Sequence, residues 1–334
     1  MISFRKLFLL SLLLSFLMSL SAIAADNKSV INEMKSLYKQ KRVNEAITLG
    51  VKNLAVLEKS GGIPKDISSL SVMIAEMYKK QKNFKQAETY LFKAKNLLED
   101  KDLSDAGLFK IYRSLGSMYN IQGFLKQAEL FYNKALALAK SKWGLYNKKT
   151  FTIWNLMGGM YSKYGNYVEA EKAYNSAIEI GLKEFGEGSA TLAVLYYNLG
   201  NVLLKTNNAK DGEKAFTSAL NILSKDAAAH YSELSMVYDK LAPLNKDKGD
   251  IAKAEDFYRK SIQAKKQMKG NELGVANSTN NLAVLYMMQG EYKESCRLFT
   301  AALSLCKKRL ADSDAIIINL KRNIQDCKKM INKK

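Results

Sequence analysis

Residues 115–136, LGSMYNIQGFLKQAELFYNKAL, set Gly116, Tyr119, Ala128, Tyr132 and Ala135 at fixed intervals. The same intervals return at Gly158, Tyr161, Ala170, Tyr174 and Ala177, and again at Gly200, Leu203, Gly212, Phe216 and Ala219, so positions 116, 158 and 200 open equally spaced copies. An earlier copy runs through Ala75, Tyr78, Ala87, Leu91 and Ala94, and a later one through Ala283, Tyr286, Ser295, Phe299 and Ala302. Between them Ser235, Tyr238, Ala254, Tyr258 and Ser261 keep the order, with seven extra residues around LAPLNKD separating the two halves. Pro243 is expected to end the first helix there, because it has no backbone N–H and its ring clashes with the preceding turn. Six copies of one unit leave little room for a fold that is not itself a repeat.

Each copy reads as two helical stretches of about 14 residues, because apolar residues recur three and four apart. A short polar turn, such as NIQGFL, KYGNYV or MQGEYK, joins them. Small residues at Gly116 and Ala128 allow two helices to approach closely, and the aromatics at Tyr119 and Tyr132 fill the space beside that contact. A lone helix pair cannot bury both of its faces, so the next pair must stack on it.

The IYRSLGSMY and LKQAELFYNKAL segments resemble the tetratricopeptide repeat, whose signature sets an aromatic, Leu-Gly, Tyr, Ala, an aromatic and Ala at these spacings. The usual period of that repeat is about 34 residues. The longer step, with Ala87-Glu88, Ala128-Glu129, Ala170-Glu171 and Ala254-Glu255 opening second helices, is similar to the repeats of kinesin light chains. The resemblance covers residues 68 to 309. It implies an all-α fold, a right-handed α-solenoid of stacked antiparallel helix pairs, and a function in holding a peptide or protein.

The expected organisation is a signal peptide over 1–24, a degenerate N-terminal helical repeat over 25–61, six repeats over 66–310 and a capping helix over 311–334. The signal is read from Arg5 and Lys6, the uncharged run Leu7–Leu20, and Ala22 and Ala24 as an A-x-A cleavage site. The chain is therefore expected to be exported, periplasmic or secreted. If the segment is not cleaved it would serve as a membrane anchor.

The formal charge is +20, but only seven of the 52 basic residues are Arg. Lys lacks the planar fork that reads phosphate or carboxylate bidentately, so much of this charge reads as a solvated surface.

Candidates for catalysis are scarce. The one histidine, His230, falls in the first helix of the fifth copy with no second ligand near it in the sequence. Metal sites built from His and Cys need several ligands within reach. No catalytic residue, cofactor or metal site is therefore expected, and the chain is not expected to be an enzyme. Basic residues lie among the 18 Tyr and 13 Phe, but most of these aromatics fall at packing positions, so nucleic acid is not an expected partner.

Cys296, Cys306 and Cys327 all lie toward the C-terminus, in the last copy and the segment after it. If the capping helix folds back about residues 310–313, Cys296 and Cys327 come level and are candidates for a disulfide. The alternative is three buried free thiols.

Proteins that resemble this one hold a peptide in the groove lined by first helices, commonly through Asn side chains. Positions facing away from the packing seam are Lys110, Arg113, Ser117, Asn155, Tyr197, Asn198, Asn201, Asn280 and Asn281, and these are the candidate partner-binding residues. Asn offers both a donor and an acceptor, which suits an extended backbone. Plain exposure to solvent is the alternative for each. The expected partner is a protein or peptide segment of the cell envelope. A second reading is a basic adaptor held to an anionic membrane or polysaccharide by the Lys-rich surface and the KKMINKK tail.

Overall fold

A computed structural model describes residues 27–99 and 105–332, and its described residues are helical with no strand. The signal segment, 1–24, lies outside the described residues. In chain order the helices are α1 (27–39), α2 (Val43–Lys59), α3 (Pro64–Lys80), α4 (Phe84–Glu99), α5 (Asp105–Gln122), α6 (Leu125–Trp143) and α7 (Lys148–Lys163). They continue as α8 (Tyr167–Phe185), α9 (Ala190–Lys205), α10 (Ala209–Leu223), a 3-10 segment Ser224–Ala229, α11 (Tyr231–Asp247), α12 (Ile251–Lys266), α13 (Glu272–Met288), α14 (Tyr292–Cys306) and α15 (Ala315–Asn332). No described helix is long and apolar enough to cross a membrane. The chain divides into two compact units, Met1–Met160 and Tyr161–Lys334.

One turn joins the two helices of every pair. Its key residue has a positive φ: Lys41, Lys82, Gly123, Gly165, Asn207, Gly249 and Gly290, which follow one another at nearly equal steps along the chain. The next residue donates its N–H to the carbonyl five positions back, at 2.9 Å in all seven: Arg42 to Leu37, Asn83 to Tyr78, Phe124 to Tyr119, Asn166 to Tyr161, Asn208 to Leu203, Asp250 to Asn245 and Glu291 to Tyr286. This is the Schellman closure of a helix C-terminus, which gives otherwise orphaned carbonyls a partner and reverses the chain. Glycine takes this conformation without strain, and it fills four of the seven positions. In three of the seven pairs the second helix starts on a side-chain cap: Asn83 accepts from the Gln86 N–H, Asn208 from the Asp211 N–H and Asp250 from the Lys253 N–H.

These turns correct the expected fifth copy. Helix α11 does not stop at Pro243 but runs through it to Asp247. Fully buried Ala242 precedes the left-handed Gly249 as Gly116 precedes the left-handed Gly123, and it stands at the same offset from Ala254 as Gly116 does from Ala128. Asn245 takes the place of Tyr119 in the turn hydrogen bond. No insertion exists, and the regular step through Gly116, Gly158 and Gly200 leads next to Ala242, not to Ser235. Tyr238 then matches Tyr112, and the rings agree: Tyr238 lies 6.0 Å from Phe257, and Tyr112 lies 6.4 Å from Phe131.

In the first unit, α1, α2 and α3 share a core of Val30, Met34, Leu54, Leu70 and Ile74, so the N-terminal segment forms a packed helix pair ahead of the six copies. The pair α5–α6 closes on Gly116, where an added Cβ would come within 2.6 Å of the Tyr132 ring. In the second unit Gly200 meets the Phe216 ring in the same way, at 2.7 Å. One core there joins α9 to α11 through Phe216, Leu223, Leu234 and Val237. Another runs from α11 to α15 through Tyr258, Phe299, Ile317 and Leu320.

Polar contacts tie successive pairs together. The Tyr119 hydroxyl donates to Glu88 and the Tyr286 hydroxyl to Glu255, so the Glu of an Ala-Glu pair holds the tyrosine of the following copy. At the C-terminal end, α15 packs on α14. Cys296 and Cys327 are joined there as a disulfide with Cα atoms 5.8 Å apart, and Cys306 is a buried free thiol.

Candidate functional site

The first helices of the first unit enclose a cleft of about 350 Å³ lined by Val72, Glu76 and Lys79 of α3, Lys110, Arg113, Ser114 and Ser117 of α5, and Thr152 and Leu156 of α7. Three of the residues chosen from the sequence, Lys110, Arg113 and Ser117, therefore face one cavity. Asn155 is half-buried on α7 between Thr152 and Leu156.

The spacing of three to four residues on α5 puts Lys110, Arg113, Ser114 and Ser117 along one face. Packing of that helix through Ile111, Leu115 and Met118 turns this face toward the cleft.

The cleft is electrostatically uneven. Lys79 Nζ lies 2.7 Å from Glu76 and 3.2 Å from the Ser114 hydroxyl, which itself donates to Glu76, so that cation is satisfied in place. Lys110 and Arg113 are exposed and form no ion pair with a described residue. A second cavity, of about 430 Å³, shares Val72, Glu76 and Lys110 with the first and adds Lys35 and Lys65. Against four cations without a carboxylate partner among the described residues, the combined cleft offers one carboxylate, already engaged. A ligand that neutralises them is anionic, while Val72 and Leu156 accept apolar surface.

The candidates of the second unit are more dispersed. Tyr197 is half-buried with its ring 5.7 Å from Phe216, and burial raises its phenol above the ordinary tyrosine range. It packs the α9–α10 pair. Tyr197 and Asn198 also line a small apolar pit of about 100 Å³ with Val194 and Met236. The Asn201 amide donates to the Tyr197 carbonyl one turn back at 2.8 Å, so one of its two N–H groups is spent on its own helix. Asn280 lines a cleft between α13 and α15, and Asn281 is half-buried beside it.

Two sets of polar residues escaped the sequence reading. Glu76 and Lys79 come from the copy before Lys110 and Arg113, and only stacking brings them together. Asp239 occupies in α11 the place of Arg113 in α5, three before the small residue, which the misplaced register hid. It faces inward: its carboxylate accepts from Lys265 at 2.5 Å, Ser261 at 2.6 Å and Ser278 at 3.0 Å, a tie among α11, α12 and α13. The Ala242–Ala254 spacing would have located it.

His230 is the residue before α11, with its carbonyl accepting from the Leu234 N–H at 2.9 Å; it lies outside the helix expected for it. Among the described residues no group of three His, Cys, Asp or Glu could hold a metal ion.

A family model of the tetratricopeptide repeat matches residues 107–183 and 149–225, and a second matches 275–314. A search of curated proteins found no match. Among solved structures, the chain is similar to BtubC (BKLC) from P. vanneervenii, at 21% identity and a TM-score of 0.56 over 75% of this chain and 92% of that one. It is also similar to the C-terminal part of a repeat-containing protein from Cytophaga hutchinsonii, at 15% identity and 0.61 over 86% and 98%. A third similar structure is the kinesin light chain-like repeats of Podosopora anserina, at 15% identity and 0.51 over 60% and 96%. At these identities the likeness concerns the fold. Repeats of this kind bind peptides or other proteins. Residues 107–225 and 275–314 carry tetratricopeptide repeats, and the solved structures of similar fold include kinesin light chain-like repeats.

Proposed function

We propose that this protein is an exported, non-catalytic scaffold that binds a peptide segment of a cell-envelope partner along the first helices of its N-terminal unit. The observation that carries this reading is the convergence of Lys110, Arg113 and Ser117 with α3 and α7 on one cleft, where two cations stand without an ion-pair partner among the described residues. Such a surface favours a segment rich in Asp or Glu, with an aliphatic side chain against Val72 and Leu156. Export rests on the sequence of positions 1–24, with cleavage after Ala24.

The test is affinity capture from envelope extract with the mature protein, followed by anisotropy titration of the captured segment as a labelled peptide. The Lys110→Ala/Arg113→Ala double variant should weaken binding at least tenfold, since each cation removes a charge-assisted contact. Equal affinity of that variant and the wild type would remove the cleft as the site.

A further inference from the structure

No Asp or Glu occurs between Glu129 and Glu169, although the chain holds 32 acids, and the interval carries Lys134, Lys140, Lys142, Lys148, Lys149 and Lys163. Near its middle, residues 144–147 link α6 to α7. The two tryptophans of the chain flank this linker, Trp143 at the end of α6 and Trp154 in α7. Leu145 and Tyr146 form its tip, 43% and 41% exposed, and Lys140, Lys142 and Lys148 beside them are exposed as well. Lys142 meets Asp105 at 3.3 Å, while Lys140, Lys148 and Lys149 form no ion pair with a described residue.

The tip stands on a built base. The Asn147 side chain accepts from the N–H groups of Lys149 at 2.8 Å and Thr150 at 3.1 Å and donates to the Gly144 carbonyl, which ties the linker across its foot. Trp143 packs on the buried Phe109 ring at 6.0 Å. Lys149 Nζ lies 4.0 Å from the centre of the Trp143 ring and Lys140 Nζ 5.3 Å from that of Trp154, so two of the cations are held against aromatic faces. The fold does not require these residue types. The linker from α8 to α9 opens on Gly186 with nearly the backbone of Gly144, φ 77° and ψ 162° against 82° and 178°. In the places of Lys142, Leu145 and Tyr146 it has Glu184, Glu187 and Gly188. The same turn is thus made with the opposite charge and no apolar tip.

We infer that the α6–α7 linker is a membrane-contact site, in which Leu145 and Tyr146 enter the headgroup layer of a bilayer rich in anionic lipid while Lys140, Lys142, Lys148 and Lys149 meet its phosphates. Aromatic rings with an apolar body and a polar tip, flanked by lysines, are the side chains that settle at a bilayer interface. Lysine is a point charge without a planar fork, which suits a fluid array of phosphates better than one fixed bidentate partner. The exposed leucine selects lipid over polysaccharide, because burial of an aliphatic side chain needs an apolar layer to receive it. Two inserted side chains make a weak anchor, so the contact is reversible and is lost when salt screens the lysines. This inference shares with the proposed function only a place at the cell envelope. It shares no residue with the cleft of Lys110 and Arg113, so the two stand or fall separately.

The test uses the mature protein, from residue 25 onward, because the uncharged run Leu7–Leu20 would enter a bilayer by itself. Co-sedimentation is measured at about 0.05 M NaCl with vesicles of phosphatidylcholine alone and with about one third phosphatidylglycerol. Wild type should bind the anionic vesicles at least tenfold more tightly than the neutral ones. Lys142→Glu/Leu145→Glu, which installs the residues of the α8–α9 linker, should weaken that binding at least tenfold. Leu145→Ser/Tyr146→Ser, which leaves the charge alone, should weaken it at least fivefold. If the first variant melts early, the second alone decides. Lys110→Ala/Arg113→Ala in the cleft and Lys328→Glu/Lys329→Glu in the C-terminal tail should each change binding less than twofold. Wild-type affinity in Leu145→Ser/Tyr146→Ser overturns the inference, as does a loss in the tail variant equal to that in the linker variant, which would mean that the total charge binds. Absence of binding to the anionic vesicles also overturns it, and retention on an immobilised anionic polysaccharide would then assign the lysines to that polymer.

Discussion

At the residue scale the repeat turns on a contact between a missing side chain and a ring. Gly116 leaves room for Tyr132, and a Cβ there would stand 2.6 Å and 2.7 Å from two ring carbons. Gly116→Ala gains about 1 kcal/mol of helix propensity, but it forces a fully buried ring to move, which costs about 1–3 kcal/mol in a packed core. A net loss of about 1 kcal/mol should appear in urea unfolding, and a variant as stable as wild type would show that the ring is free to shift. The tyrosine itself titrates late. Burial pushes the Tyr132 phenol up to about 12, against the pull of Asn120, Ser117 and Arg113 toward the ionised form, and burial alone does the same to Tyr174. The native state therefore keeps protons between pH about 10 and about 12 that the unfolded chain has released, so stability falls as pH rises through that window. Tyr132→Phe should lose about 2 kcal/mol less than wild type between pH 9 and 11.5. An equal loss in the two proteins would refute this. The sequence shows only that position 116 is small; that an added methyl there would meet a ring emerges from Tyr132 packed against it.

At the scale of elements, the period was legible because each turn recurs with the same backbone conformation, and the packing residues of five copies stand where their spacing put them. The fifth copy was not, because proline normally ends a helix and α11 continues through Pro243. Once that register is set by Gly249, Asp239 joins the groove-facing row but is withdrawn from it by Lys265 and two serines. Sequence spacing places a side chain on a face and does not show whether a neighbouring helix has claimed it, and Asn201 illustrates the same limit. The capping helix depends on more than packing. Only Ile317, Leu320 and Cys327 of α15 are buried, a thin core for 18 residues. The Cys296–Cys327 bridge closes a separation of 31 residues, worth about 3–4 kcal/mol in the chain-entropy model. Denatured without reductant, the protein should show one titratable thiol per chain, Cys306, and three thiols would remove the bridge. In Cys296→Ser/Cys327→Ser, amides of 315–332 should exchange faster than those of α13, and equal protection of α15 in both proteins would mean that packing alone holds it.

At the scale of the whole molecule, the question is whether the formal charge of +20 acts as a total or through a few placed cations. Surface ion pairs give at most about 1 kcal/mol each, and salt screens them over a Debye length of about 10 Å at 0.1 M. A peptide held by Lys110 and Arg113 thus has about 2 kcal/mol of screenable energy, while its apolar contacts with Val72 and Leu156 do not depend on salt. Raising NaCl from about 0.05 M to 0.5 M should therefore weaken such a peptide about tenfold at most. A protein held to an anionic surface by many lysines behaves differently, because each contributes up to about 1 kcal/mol and all are screened together. Binding to vesicles of anionic lipid, measured by co-sedimentation over the same range, should be weak at low salt and absent at about 0.5 M. The two curves separate the readings without knowledge of the partner. A captured peptide whose affinity collapses in parallel with vesicle binding, and does so equally in Lys110→Ala/Arg113→Ala, would mean that the total charge is what binds. A shallow peptide curve that the double variant lowers at every salt concentration would place the function in the cleft.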